Sequence, residues 1–211
     1  MKIECFTFNM FSENTYVLYD DTLQCVIIDP GCYEEEECTE LKKFIADKKL
    51  KPVKLLYTHC HIDHVLGNHF VLSQYNIPAY CHSLEVPQFI SVPAYAPMYG
   101  FNKVHIGEPP TLMLNEGDEI SFGTTTLHCI FAPGHSPGSI CFYNKKENVV
   151  IGGDVLFRMS IGRTDLPGGN HNLLLKNIRE KLFTLPEDTT VYAGHMEPTT
   201  IGFEKMNNPY L

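Results

Sequence analysis

One short stretch limits what this chain can become. Thr58-His59-Cys60-His61-Ile62-Asp63-His64 follows directly on the run Val53-Lys54-Leu55-Leu56-Tyr57. That run reads as a short buried strand, being β-branched, aromatic and preceded by Pro52. Four side chains able to hold a metal ion, His59, His61, Asp63 and His64, therefore leave a sheet together at a strand end. Side chains alternate along extended backbone, so His59 and His61 point one way and Cys60 the other. Asp63 and His64 fall in the turn that follows, Gly67 closes it, and Asn68 to Tyr75 begins a helix. Imidazoles and carboxylates suit zinc, iron or manganese. Four ligands are more than one catalytic metal takes from so short a loop, so the motif predicts two adjacent metals.

The rest of the chain repeats one device. Cys25 to Ile28 is an apolar run that ends in Asp29, a carboxylate placed to orient a neighbouring loop. Thr124 to Phe131 leads to His135 within Pro133-Gly134-His135-Ser136-Pro137-Gly138. Val149 to Gly152 leads to Asp154, and Thr190 to Ala193 leads to His195. Layered α/β folds gather their sites where strands end and loops begin. The other histidines, His69, His82, His105, His128 and His171, lack that context and read as structural or exposed.

Around these points the chain reads as strands and helices in alternation. Ile3 to Asn9, Thr15 to Tyr19 and Cys25 to Asp29 form a meander, with turns at Ser12-Glu13-Asn14 and Asp20-Asp21. Glu34 to Lys49 is a helix, with four glutamates in its first turn as a solvated cap and Lys48 and Lys49 in its last. Its apolar stripe is Cys38, Leu41, Phe44 and Ile45. Asn172 to Phe183 is a second amphipathic helix, through Leu174, Ile178 and Leu182. Glu85 to Pro110 differs from everything else. It carries five prolines among Phe89, Tyr95, Met98, Tyr99 and Phe101, and reads as an irregular loop covering the site, or alternatively as a dimer contact.

Composition serves mainly to exclude. With 44% hydrophobic and 19% charged residues, 211 residues make one ordinary domain, 1–211. A net charge of -9 excludes the basic stripe of a nucleic-acid binder. There is no secretory signal and no span long enough to cross a membrane. Eight scattered cysteines without a Cys-x-x-Cys pair fit free thiols in a cytoplasmic protein.

Taken in order, Asp29, the Thr58 to His64 motif, His135, Asp154 and His195 resemble the metallo-β-lactamase superfamily over the whole chain. The resemblance implies an α/β fold, an αββα sandwich of two mixed β-sheets flanked by helices. It implies one metal on His59, His61, His135 and Asp154, and a second on Asp63, His64, His195 and the shared Asp154, with Asp29 supporting the ligand loop. Two divalent metals are expected, zinc first, with iron or manganese as alternatives. The pattern is closer to glyoxalase-II-like hydrolases than to true β-lactamases, which have Cys where Asp154 stands and lack the Asp63-His64 pair in this form. Gly162 to Gly169 and Ala193 to Glu204 look like the short bacterial members. The helical region by which full glyoxalase II grips glutathione has no counterpart before Leu211, which predicts a weak hold on glutathione.

The expected function is metal-dependent hydrolysis of a small thioester or ester by a hydroxide bridging two metals, with Asp63 orienting it. Arg163, between glycines, is the candidate for a substrate carboxylate, and Tyr99 for a further substrate contact. The expected partner is a small molecule only, and the protein a monomer or homodimer. The alternatives are a mononuclear-iron persulfide dioxygenase, whose Arg-Thr-Asp resembles Arg163-Thr164-Asp165, and a non-catalytic zinc-binding module.

Overall fold

The computed structural model describes residues 1–211. The elements in chain order are β1 (Lys2–Phe8), β2 (Glu13–Tyr19), β3 (Gln24–Ile28), α1 (Glu35–Asp47), β4 (Lys51–Leu56), α2 (Ile62–Val65), α3 (Asn68–Tyr75), β5 (Ala79–Cys81), α4 (Val86–Tyr95) and β6 (Leu112–Met113). Then come β7 (Glu119–Phe122), β8 (Thr125–Phe131), β9 (Ile140–Asn144), β10 (Val149–Gly153), the ribbon β11 (Leu156–Phe157) and β12 (Ser160–Ile161), α5 (His171–Glu180), β13 (Thr190–Ala193), β14 (Thr199–Thr200) and α6 (Ile201–Asn207).

Two six-stranded sheets result, in the orders β1-β2-β3-β4-β5-β6 and β14-β13-β10-β9-β8-β7. Both are mixed. The first is antiparallel from β1 to β3 and parallel from β3 to β6. In the second, only β10 and β13 run parallel. Alternation along each strand divides the apolar residues between two layers. Tyr16, Leu18, Val26, Ile28 and Leu56 meet Ile120, Phe122, Leu127, Ile140, Phe142 and Ile151 between the sheets. Val17, Cys25, Ile27 and Leu55 face outward onto Leu41 and Ile45 of α1, Val71 of α3 and Phe89 of α4. Cys141, Tyr143, Val150 and Val191 face outward onto Leu174 and Ile178 of α5. The expected αββα sandwich is what forms. Central strands buried on both faces are why β3, β9 and β10 read as apolar runs rather than alternating ones.

Several elements depart from the sequence reading. Glu13 and Asn14 are not in a turn but open β2, and both are buried. Asp63 and His64 lie in the one-turn helix α2. Pro52 lies inside β4, at a register shift where Cys25 pairs with Pro52 and Val26 with Lys54. A bulge tolerates the missing N–H there. The second long helix ends at Glu180, and Leu182 to Thr184 form a separate 3₁₀ turn. Lys48 and Lys49 fall past the last turn of α1. Its Glu37 is more than a solvated cap, since it accepts from the Asn9 and Tyr33 amides at 2.6 and 2.7 Å.

The largest correction concerns the segment from Glu85 to Pro110. It is helical through Tyr99, with 3₁₀ turns flanking α4 at Ser83–Glu85 and Ala96–Tyr99. Pro87 sits in the first helical turn, where no N–H is needed. The buried residues Phe89, Val92 and Ala96 keep helical spacing, so packing holds the helix past Pro93.

Candidate metal centre

Five strand ends converge at one edge of the sandwich. β3 ends in Asp29, held at φ +50°, a left-handed conformation that Asp accepts more readily than most residues. β4 runs out into Thr58 to His61. The β8–β9 connection carries His135, β10 leads to Asp154, and β13 leads to His195. Backbone bonds stitch the sheets together here. The Ile140 amide donates to Thr58 O at 2.8 Å and Asn14 to Gly194 O at 2.7 Å, while Gly194 to Gly153 O at 2.9 Å holds β13 beside β10 within the second sheet. Gly194 is required, since a Cβ there would collide with Asp154 Oδ1 and stand 2.8 Å from His64 Cε1.

All seven candidate metal ligands from the sequence meet at this edge. His59, His61 and His135 form one lobe, and Asp63, His64 and His195 a second; within each, the candidate ligand atoms lie within 4.8 Å of one another. In the first lobe three ring nitrogens crowd together. His135 Nε2 is 2.8 Å from His61 Nδ1 and 3.2 Å from His59 Nε2. Asp154 lies between the lobes, with Oδ2 3.5 Å from His135 Nε2 and Oδ1 3.5 Å from His64 Nε2. A further grouping of Asp29 with His59 and His64 is geometrically close. The Asp29 carboxylate, however, is committed to the Thr58 amide at 2.7 Å, the Thr58 hydroxyl and His64 Nδ1 at 3.2 Å. These bonds tie it to the ligand loop.

The outer nitrogens decide how the inner ones are protonated. His135 Nδ1 donates to the Arg163 carbonyl at 2.8 Å, and His195 Nδ1 to the Phe11 carbonyl at 3.1 Å. His64 Nδ1 donates to Asp29, and His59 Nδ1 to Thr58 Oγ1, whose own proton goes to Asp29. Each of these rings, when neutral, therefore turns a lone pair inward. His195 Nε2 faces Asp63 Oδ2 at 3.1 Å and Asp154 Oδ2 at 3.6 Å. His64 Nε2 faces Asp63 Oδ2 at 3.6 Å. Lone pairs aimed at carboxylate oxygens repel unless a positive charge sits between them. Buried His64 Nε2, His61 Nε2 and Asp154 Oδ1 also find no hydrogen-bond partner in the protein. Both observations fit a site for cations.

The electrostatics of the lobes differ. Burial, then the neighbouring imidazoles, press the pKa of His59 well below the usual histidine value, and burial with His135 brings His61 down to about 3. Burial opposes a charge on His64 too, yet Asp63, Asp154 and Asp29 hold its pKa well above the usual value. His195 is likewise raised, by Asp63 and Asp154 against burial. Burial would raise the Asp63 carboxyl, but His64 and His195 hold it well below the carboxylate range. His59 and His61 thus offer neutral nitrogens in the first lobe, and the second lobe a negative field around two histidines.

A cleft of about 660 Å³ opens onto both lobes. Tyr95, Met98 and Tyr99 line it with His61, Asp63, His135, Asp154 and His195, so this part of the helical segment does cover the cluster. Phe101 does not. It is buried in the core below, its ring centroid 4.8 Å from Tyr33 and 5.9 Å from Phe11. Tyr99 stands at the cleft against Phe11, at 5.7 Å. Arg163 also lines the cleft, but its fork is taken: Nε and Nη2 donate to the two oxygens of Asp165, each at 2.7 Å. This exposed ion pair occupies one edge of the guanidinium expected for a substrate carboxylate, and the Arg163 carbonyl accepts from His135 Nδ1.

Two buried carboxylates were not singled out from the sequence. Glu85 accepts from the Cys60 amide at 2.7 Å, the Gly138 amide at 2.6 Å and the Ser136 hydroxyl. It ties the loop of His59 and His61 to the loop of His135. Glu13 is fully buried, with Oε1 3.8 Å from His64 Nδ1 and Oε2 accepting from Thr15. Burial raises the pKa of both carboxyls. Neither left a local signal. Glu85 opens a proline-rich stretch and Glu13 follows Ser12, and each reads alone as a turn residue.

A mixed double sheet between helices, with this cluster at the strand ends, is the arrangement of the metallo-beta-lactamase superfamily. The sequence profile of that superfamily matches residues 9–195, and the chain belongs to it. It is 41% identical over 202 residues to "Probable metallo-hydrolase YqgX" of Bacillus subtilis, covering 94% of this chain and 92% of that one. It is 36% identical over 213 residues to "Hydroxyacylglutathione hydrolase GloC" of Haemophilus influenzae, covering 100% and 98%. Among solved structures it resembles the BLEG-1 B3 metallo-beta-lactamase, with a TM-score of 0.91 at 37% identity, covering 100% and 99%. It also resembles TTHA1623 in a di-iron-bound form (TM-score 0.88, 34% identity, 99% and 100% covered). ETHE1 from Myxococcus xanthus follows, with a TM-score of 0.81 at 26% identity, covering 99% and 84%.

Proposed function

We propose that this chain is a two-metal hydrolase of small thioesters or esters. It would work as one domain over residues 1–211, in the cytoplasm, as a monomer or homodimer. The carrying observation is the convergence of imidazole rings on Asp63 and Asp154, with Nε2 of His64, His135 and His195 each within 3.1–3.6 Å of their carboxylate oxygens. His59, His61, His135 and Asp154 would hold one ion, and Asp63, His64, His195 and the shared Asp154 the other. Asp154 is the residue that faces both lobes, through Oδ2 to His135 and His195 and through Oδ1 to His64. Zinc, iron and manganese all suit the donor set.

Two such ions supply Lewis acidity and lower the pKa of a water towards about 7. The protein's own part is positioning. Asp63, which lines the cleft, would orient the attacking water. Tyr95, Met98, Tyr99 and Phe157 wall the cleft and limit water around the substrate. Cys60 is no nucleophile here, because its side chain is packed in the core behind the loop. The likeness to a hydroxyacylglutathione hydrolase supports a thioester bond as the target. All eight cysteines are free, in keeping with a reducing compartment.

The persulfide dioxygenase reading rests on His59, His61, His135 and Asp154, which would hold a single iron, and on the Arg163-Thr164-Asp165 stretch. It gives no use to the lobe of Asp63, His64 and His195, which is why hydrolysis is preferred. Two measurements test the choice. Metal counting should show both ions lost in Asp154→Ala and mainly one in His64→Ala; full occupancy in Asp154→Ala removes the shared ligand. Thiol release from a lactoyl thioester should then be compared with oxygen uptake on a glutathione persulfide, with zinc- and iron-loaded protein. Oxygen uptake without thiol release would reject the hydrolase.

A further inference from the structure

The cleft has a charged floor and apolar walls. Phe11, Tyr95, Met98, Tyr99, Phe157 and Met196 line it, from four separate segments of the chain. Met98 is 84% exposed, Met196 62% and Tyr99 40%. Large apolar side chains left in water around one mouth mark a surface that binds something apolar. Methionines adapt to many shapes, so the surface selects a class rather than one compound. Charge argues in the same direction. Arg163 is the only Lys or Arg among the lining residues, and its fork is held by Asp165. Asp63 and Asp154 add negative charge at the floor, in a chain of net charge -9. A substrate with free carboxylates would find no unpaired Lys or Arg and an unfavourable field.

We propose that the substrate of this site carries no free carboxylate and lays an apolar group, a medium-length acyl chain or an aryl ring, on the wall of Phe11, Tyr95, Met98, Tyr99, Phe157 and Met196. This rests on the hydrolase reading and narrows it: glutathione, with two carboxylates, is a poor leaving group for this cleft. The apolar group belongs either to the acyl half or to the thiol half, and the assay separates them. One arm lengthens the acyl chain of N-acetylcysteamine thioesters from acetyl to hexanoyl. The other lengthens the thiol of acetyl thioesters. On one arm kcat/KM should rise about two- to fourfold per methylene. S-lactoylglutathione should be cleaved several times more slowly than its diethyl ester. The double variant Met98→Ser, Met196→Ser should lower kcat/KM for the favoured long substrate about tenfold more than for the acetyl compound. Flat profiles on both arms, or preference for the free diacid, would overturn the proposal. Binding is read separately by calorimetry with thioethers that cannot be hydrolysed, S-hexyl-N-acetylcysteamine against S-hexylglutathione. Tighter binding of the neutral thioether upholds the exclusion of carboxylates, and tighter binding of its S-hexyl than of its S-methyl form upholds the wall, even if no thioester is turned over, in which case only the hydrolase reading fails. Tighter binding of S-hexylglutathione than of the neutral thioether, or equal binding of the hexyl and methyl forms, rejects the proposal.

Discussion

Removing Glu85 should damage the protein in a particular order. Its buried carboxylate is the shared acceptor for two amides, Cys60 and Gly138, and for the Ser136 hydroxyl. Glu85→Ala strands three buried donors at once. Each unsatisfied buried group costs about 1–3 kcal/mol. The three share one site and do not add fully, so about 3–6 kcal/mol is expected. That is a large part of the about 5–15 kcal/mol by which such domains are stable. Glu85→Gln keeps the shape and one acceptor oxygen but turns an NH2 against a donor, and should cost about 1–3 kcal/mol. Cys60 lies between His59 and His61, and Ser136 follows His135, so the three-histidine lobe should loosen first. Urea unfolding of the metal-free variants gives the stability cost, and zinc titration against a competing chelator gives the affinity of each site. In Glu85→Gln one affinity should fall about tenfold or more while the other stays within about threefold, as for other groups that orient metal ligands. An alanine variant with an unchanged midpoint and slope in urea would refute the reasoning, as would a glutamine variant that weakens both sites equally.

Other expected outcomes follow from single observations. Asp20 accepts from Thr22 and Thr124, through amide and hydroxyl alike, and from the Thr125 hydroxyl; burial works against its charge, but these bonds hold its carboxyl well below the usual range. A depressed folded pKa stabilises above the unfolded value of about 3.9 and is lost as pH falls below it. Urea unfolding of metal-free protein should therefore show a gap between wild type and Asp20→Asn at pH 6 that shrinks by pH 3; a constant gap contradicts this. Gly194→Ala should lose metal while keeping its circular dichroism, because its Cβ would strike Asp154 and crowd His64. Chelation should lower Tm by about 8–16 °C if metal had been present at about 1,000 times its Kd, a contribution of about 4 kcal/mol. Leu174→Ala, fully buried between α5 and the second sheet, should cost about 2–5 kcal/mol in urea without altering metal content.

The sequence by itself determined the parts of this protein that depend on neighbours along the chain. A strand period followed at once by His59, His61, Asp63 and His64 announces a site at a sheet edge. The helical spacing of Leu41 and Ile45, and of Leu174 and Ile178, announces outer helices over a buried sheet. The order of Asp29, the Thr58 to His64 motif, His135, Asp154 and His195 carries the resemblance to the metallo-β-lactamase superfamily, and that resemblance is what implied the double sandwich. Tertiary structure decided the rest. Glu85 meets Ser136 and Gly138 across 51 and 53 residues of chain, and Asn14 meets Gly194 across the two sheets. Such partners are set by how layers pack, and no local period records them. The same holds for Pro93, which reads as a helix breaker until Phe89, Val92 and Ala96 are seen packed into the core. Arg163 reads as a free fork until Asp165 is seen to fill it. A residue's type states which bonds it can make; only the folded chain states which of them are already taken.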